Sequence, residues 1–205
     1  MKRLLGLALL AMTACDQVPL SNEIPGSRAV VAGWDIGAYD RNGKFSHCAM
    51  ATPYESGITM IFSMSGDYSW RVAWRHDAWA FKKGQSVDLV IFVDDARPLY
   101  LRAEAVMKDM ALAELPANSA SFDLMRKGHR MTVRVVSNAY TFDLDGTYDA
   151  LPEVVACTRR YLGVAAAPGA LPFGQTVPVK RTTKPKEKVP AEQPPAPPRE
   201  LLEPL

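Results

Sequence analysis

The sequence predicts a mainly β domain, an antiparallel β-sandwich or open barrel, with one short helix, a C-terminal helix and a disordered tail. Two observations predict this class. Between about residues 29 and 163 the apolar residues mostly alternate with polar ones, which is the periodicity of a strand with one buried face. Turn sequences such as DRNG and SGDY separate these runs at short intervals, as in antiparallel hairpins. A domain of about 135 residues is large enough for one hydrophobic core.

The strands follow from the alternating runs. Strands are predicted over residues 34–38, 45–51, 58–64 and 70–75. The run SVDLVIFVDDARPLYLRAEAV predicts two strands around a turn at residues 94–98. The run HRMTVRVVSNAYTFDLDG predicts a last hairpin that turns at Ser137 and Asn138.

Two segments have helical signals instead. NSASFDLMRKG begins with the capping residue Asn118, carries basic residues near its end and stops at Gly128. TYDALPEVVACTRRYLG predicts a longer helix with Thr147 as the N-cap and Gly163 as the stop. Its buried face is formed by Leu151, Val154, Cys157 and Tyr161.

The first 15 residues predict a secretory signal. Lys2 and Arg3 precede an apolar run that is too short to span a bilayer, which takes about 20 residues. The end of this segment, LAMTAC, resembles the lipobox of bacterial lipoproteins. The sequence thus predicts a signal peptide at 1–14, lipidation of Cys15, a linker at 15–28, and a periplasmic lipoprotein anchored in the inner or outer membrane. A plain secreted protein is the alternative.

Residues 164–205 form a tail of different composition. Ten of the 16 prolines lie there, together with the basic stretch VKRTTKPKEKV. Proline has no amide donor and a fixed φ, so this composition predicts disorder or extended polyproline II. Three interpretations remain open: a solvated tail, a segment that docks on an envelope protein, and a lysine-rich contact to peptidoglycan or lipid. The whole chain has 24 basic and 22 acidic residues, so no nucleic-acid partner is expected.

The cysteines predict one disulfide. Cys48 follows His47, which raises the question of a nucleophilic cysteine with a neighbouring base. Adjacent residues of a strand point to opposite faces, however, so the two side chains are expected to be apart. Lipidation of Cys15 leaves Cys48 and Cys157, which an oxidising compartment would join.

No catalytic residue, metal site or cofactor site is predicted. The three histidines are far apart in sequence, and Asp143, Asp145 and Asp149 are explained by turn and cap roles. The tryptophans are the candidate ligand-binding residues. Trp70 and Trp74 share a strand face, and Trp79 follows the next turn. A row of aromatic rings can stack on sugars or on apolar groups, or can simply form the core, with Trp79 the most exposed.

A resemblance adds to these expectations. The segments FSHCAM, VDLVIFVDD, FDLMRKG and YTFDLDGTYDALPEVVAC occur in an order that resembles invasion-associated locus B proteins of the proteobacterial envelope. The resemblance covers Trp34 to Cys157. It implies a β-sandwich with an envelope role and supplies no catalytic residue.

The sequence therefore predicts an envelope lipoprotein that is a non-catalytic interaction or accessory module. The alternative is a protein that binds cell-wall sugars or small molecules, or a hydrolase, with a cleft lined by tryptophan. A cavity lined by tryptophan would favour the alternative, and a filled core would favour the module.

Overall fold

The computed structural model describes residues 22–136 and 138–164. The predicted signal peptide, Cys15 and nearly all of the tail lie outside these residues. The described chain forms eleven strands and two helices: β1 Asn22–Glu23, β2 Ala29–Val31, β3 Trp34–Arg41, β4 Lys44–Pro53, β5 Thr59–Ser65, β6 Trp70–Arg75, β7 Ser86–Val93, β8 Leu99–Met107, β9 Met110–Glu114, α1 Ser119–Lys127, β10 Arg130–Val135, β11 Asn138–Asp143 and α2 Thr147–Tyr161. Neither of these helices has the length and apolar character needed to span a membrane.

All strands belong to one antiparallel sheet. The strand order is β1-β3-β4-β5-β6-β9-β8-β7-β10-β11, and β2 also pairs with β3. The two ends of this order come together, because the hydroxyl of Tyr54 donates to the carbonyl oxygen of Asp143 and the Trp34 indole donates to that of Asp145. No strand pairing in the described ranges closes the gap between β11 and β3. The sheet therefore curls into an open barrel around one core.

The helices fill one end of this barrel. α1 joins β9 to β10 and places Phe122 and Met125 in the core, each at most 1% exposed. α2 packs on the inner side of β3, β4 and β5, where the hydroxyl of Thr158 donates to the carbonyl oxygen of Met64 at 3.3 Å. We call this part the closed end. The turns after β6, β8 and β10 lie at the other end.

The structure confirms the mainly β class and both helices, and it changes several details. β9 had no prediction of its own, and β1 lies within the predicted linker at 15–28 but pairs with β3. Thr147 is not the cap of α2. Gly146 is the N-cap, with φ of 83°, and a Cβ there would lie 2.2 Å from the carbonyl oxygen of Ala32. A residue with a Cβ does not fit at this position, so glycine is required there. The N-cap therefore lies one residue earlier than predicted. The hydroxyl of Thr147 instead donates to the carbonyl oxygen of Leu144 at 2.8 Å.

Candidate functional site

The disulfide joins the first long hairpin to the last helix. Cys48 in β4 and Cys157 in α2 are bonded, with their Cα atoms 6.1 Å apart and 109 positions apart in sequence. Both cysteines belong to the core. Cys48 is thus part of a structural cross-link at the closed end and is not free to act as a nucleophile.

His47 lies on the other side of the sheet from Cys48, as the strand geometry predicts. Its ring stacks on Tyr39 of β3 with 5.0 Å between the centroids, and its Nδ1 lies 3.1 Å from the hydroxyl of Ser46. Burial lowers the pKa of His47 to about 4, with smaller contributions from the positive charges of Arg41 and Arg71. The imidazole is therefore neutral near pH 7.

Trp70 belongs to the core at the closed end. It is 1% exposed, its ring lies 5.3 Å from that of Phe122, and its indole N–H donates to the carbonyl oxygen of Pro116 at 2.9 Å. Its hydrogen bond and ring contacts are thus those of a core tryptophan.

Trp74 and Trp79 meet at a cavity. Trp74 lies four residues along β6 from Trp70 and is 5% exposed, whereas Trp79 is half-buried in the following loop. Both rings line an internal space of about 310 Å³. The structure thus brings two of the three candidate tryptophans together and places the third in the packed core.

The cavity occupies the interior of the barrel at the end opposite α1. Its walls come from β6, β7, β8, β9, β10 and β11 and from two loops. The lining residues are Ile58, Trp74, Trp79, Phe81, Gln85, Val87, Leu89, Ala103, Ala111, Val133, Val135, Asn138, Tyr140 and Phe142. The amides of Gln85 and Asn138 are the only polar side chains in this set apart from the Tyr140 hydroxyl and the two indoles.

The cavity opens to solvent where β7, β10 and β11 meet the loop between β6 and β7. Gln85 and Asn138 are exposed there, and Trp79, Phe81 and Tyr140 are half-buried. We call these five residues the mouth. Since Leu89, Ala103, Ala111 and Phe142 are buried beneath them, the space deepens from the mouth into the core.

The loop at 76–85, which we call the rim loop, is held by backbone hydrogen bonds to β8 and the β8–β9 turn. The amide of His76 donates to the carbonyl oxygen of Asp109 at 2.9 Å, and that of Phe81 donates to the carbonyl oxygen of Lys108 at 2.8 Å. Gly84 and Ala105 are joined at 2.8 Å in the same way. These bonds hold Trp79 and Phe81 in place at the mouth, with their ring centroids 5.2 Å apart.

An ion pair supports the same loop. The guanidinium Nε of Arg75 lies 2.7 Å from a carboxylate oxygen of Asp109, and its Nη2 lies 3.1 Å from that of Asp77. The hydrogen bond from Arg75 holds the pKa of Asp109 below its usual value. The rim loop is thus tied at its start as well as along its length.

One polar group beside the cavity is unusual. The indole Nε1 of Trp74 is buried and finds no hydrogen-bond partner within residues 22–136 and 138–164. By contrast, the indoles of Trp34 and Trp70 both donate to backbone carbonyls. A buried donor without a partner costs free energy, so the cavity wall at Trp74 is less well satisfied than the rest of the core.

Sequence reasoning found Trp74 and Trp79 but missed most of the cavity. Alanines 103 and 111 look like ordinary strand residues, and their small size matters only because β8 and β9 lie side by side. Phe81 and Gln85 come from a loop that pattern analysis leaves unassigned. The sequence predicts Asn138 as a turn residue, but it is the first residue of β11, where it pairs with Val135. Within the described ranges, no group of three or more His, Cys, Asp or Glu side chains is placed to hold a metal ion.

The chain has a weak structural relative among solved structures. It is similar to the crystal structure of invasion associated protein B from Bartonella henselae, with 12% identity over 65% of this chain and 97% of that chain and a TM-score of 0.48. The likeness is weak, and it is to the same type of protein that the motifs between Trp34 and Cys157 resemble. No family model matches the chain, and no curated protein sequence matches it.

Proposed function

We propose that this chain is an exported, non-catalytic envelope protein that binds a small apolar ligand in the cavity between Trp74 and Phe142, which is the small-molecule-binding alternative predicted from the sequence. The observation that carries this proposal is the cavity itself. Protein cores are close-packed and hold few spaces larger than a water molecule. A space of about 310 Å³ lies at the lower end of the range of ligand pockets, roughly 300–1,000 Å³.

The chemistry of the wall favours an apolar ligand over a sugar. Sugar hydroxyls need hydrogen-bond partners when they leave water, and each one left unpaired is costly. The cavity offers mainly aromatic and aliphatic carbon, with Gln85 and Asn138 at its mouth. These groups suit a hydrocarbon body with one polar end, and they support binding rather than hydrolysis.

Export and anchoring remain part of the proposal. The disulfide supports an oxidising compartment, and LAMTAC supports lipidation of Cys15 and attachment to the inner or outer membrane. Palmitate labelling should mark the wild type and leave Cys15→Ala unlabelled. The tail would then reach an envelope protein or peptidoglycan, and deletion of 176–205 should reduce recovery of that partner from the cell envelope.

Titration calorimetry with decanol tests the cavity. We use the full-length chain carrying Cys15→Ala, so that the attached lipid does not compete. Decanol should bind with a stoichiometry of one, and Ala111→Phe should abolish binding because the larger ring fills the cavity.

The control variant addresses the outer surface. Tyr100 is 77% exposed on the outside of the sheet, beside the exposed Val136. Tyr100→Ala should leave decanol affinity unchanged. Loss of binding in Tyr100→Ala but not in Ala111→Phe would move the site to the outer surface and contradict the proposal.

A further inference from the structure

Three positively charged side chains lie beside the mouth of the cavity. Lys82 and Lys83 lie in the rim loop between Phe81 and Gln85, both of which line the cavity. Lys108 lies in the β8–β9 turn, and its carbonyl oxygen accepts the hydrogen bond from the Phe81 amide. All three lysine side chains are exposed. The backbone contacts that hold the rim loop therefore bring three cations to one side of the mouth.

Within the part of the chain that the structure describes, Lys82, Lys83 and Lys108 form no ion pair. Asp109 is adjacent to Lys108, but its carboxylate is bound to Arg75 at 2.7 Å. The hydrogen bond from Arg75 is the main cause of the lowered pKa of Asp109, and the charge of Lys108 contributes to it. The lysines are thus available to an anionic group that enters the mouth.

The size of the cavity limits the apolar part of the ligand. A space of about 310 Å³ lies at the lower end of the range of ligand pockets, roughly 300–1,000 Å³, and so suits one short apolar chain. One short unbranched chain fits, whereas the paired chains of a membrane phospholipid do not.

We propose that the ligand is a single acyl chain with an anionic headgroup, an inference that rests on the proposed function. The chain lies in the cavity among Trp74, Leu89 and Phe142. The headgroup stays at the mouth beside Lys82, Lys83 and Lys108. The source is either a free fatty acid or a monoacyl lipid with a phosphate, since both present one chain and one anion.

The experiment compares ligands that share a ten-carbon chain and differ in charge. Decanoate, decyl phosphate, decanol and decyltrimethylammonium are titrated into the full-length chain carrying Cys15→Ala. Both anions should bind about tenfold more tightly than decanol, and the cation should bind more weakly than decanol. The difference should shrink at high salt, because exposed charges are screened. The stronger of the two anions identifies the source.

Three substitutions test the lysines together. Lys82→Gln, Lys83→Gln and Lys108→Gln in one variant should bring decanoate affinity down to that of decanol and leave decanol unchanged. The matched control is Lys44→Gln, an exposed lysine at the β3–β4 turn, which should bind decanoate like the parent chain. Equal binding of decanoate and decanol by the parent, or an unchanged preference in the triple variant, would overturn the headgroup inference and leave the proposed function standing. Failure of all four ligands to bind would instead contradict the proposed function.

Discussion

The closed end and the cavity end of the barrel belong to one sheet but are filled differently. At the closed end, α1 and α2 insert side chains between the strands, among them Phe122, Met125 and Val154, all at most 2% exposed. At the other end neither α1 nor α2 contributes to the wall, and the strands face one another across a space of about 310 Å³. The core is therefore closely packed at the end of the barrel that the two helices fill, and it contains a cavity beyond them.

The size of the inward side chains follows the same division. Trp70, near the start of β6, packs against Phe122, while Trp74, near its end, faces a wall that includes Ala103 and Ala111. Both tryptophans are buried, but only Trp70 has its indole N–H satisfied by a backbone carbonyl in the described chain. One end of β6 thus serves stability, and the other leaves room for a ligand.

The largest expected difference between the two ends is in the free energy of unfolding lost by Trp70→Ala and by Trp79→Ala. Trp70→Ala should lower the free energy of unfolding by about 3–5 kcal/mol, because it leaves a void in packed core. Trp79→Ala should cost only about 1 kcal/mol, since that ring is already half-buried and borders a space. Urea denaturation followed by circular dichroism measures both. Equal losses would show that the rim loop is as much a part of the core as Trp70.

Removing the disulfide should weaken the closed end and spare the cavity. The double variant Cys48→Ala and Cys157→Ala should lose about 2–5 kcal/mol of unfolding free energy, since a cross-link over 109 positions restricts the unfolded chain. Decanol affinity at low temperature should stay within about twofold of the parent, because neither cysteine lines the cavity.

The single variants serve as controls for the double one. Each should be as destabilised as the double variant, because either change removes the whole bond. A single variant that keeps the parent's stability would argue against the Cys48–Cys157 bond. Decanol affinity that falls in parallel with stability would show that the two ends are coupled.

Local patterns were sufficient to predict the two helices and the disulfide of the closed end, though not the N-cap of α2. Asn118 caps α1 through a bond from the Ser121 amide at 2.8 Å, and Gly163 follows the end of α2 with φ of 69°, as their residue types predict. The disulfide followed from counting cysteines in a chain predicted to be exported. These features depend on residues whose chemistry admits few alternatives.

The cavity end could not be predicted in the same way. A cavity is a property of several strands at once, and alternation within a single strand shows only which side chains face inward. The strand order places β9 between β6 and β8, so that Ala111 lies next to Trp74, and no local pattern encodes that neighbour. From the sequence alone, the lysines of the rim loop are ordinary solvated charges. Their position beside the cavity follows only from the backbone hydrogen bond between Phe81 and Lys108.

The smallest expected effect concerns His47, which lies on the outer face behind the disulfide. Burial lowers its pKa from 6.5 to about 4 in the folded chain. Between pH 6.5 and 4 the unfolded chain therefore takes up a proton that the folded chain does not. Above pH 6.5 this histidine does not reduce the free energy of unfolding. The loss of unfolding free energy develops as the pH falls towards 4. It amounts to about 2–3 kcal/mol, from about 1.4 kcal/mol per pKa unit, reduced because the ring is partly solvated.

Urea denaturation at pH 7.5 and at pH 4.5 measures this loss, and His47→Gln provides the control because it removes the titrating group. The variant should lose less stability than the parent over this interval. The carboxylate of Asp109, whose pKa is held below its usual value by Arg75, is present in the parent and in the variant, so its contribution cancels in the comparison. Decanol binding at the far end of the barrel should not follow the same pH profile. If decanol affinity follows that profile, protonation of His47 affects binding in the cavity, and the two ends are energetically coupled.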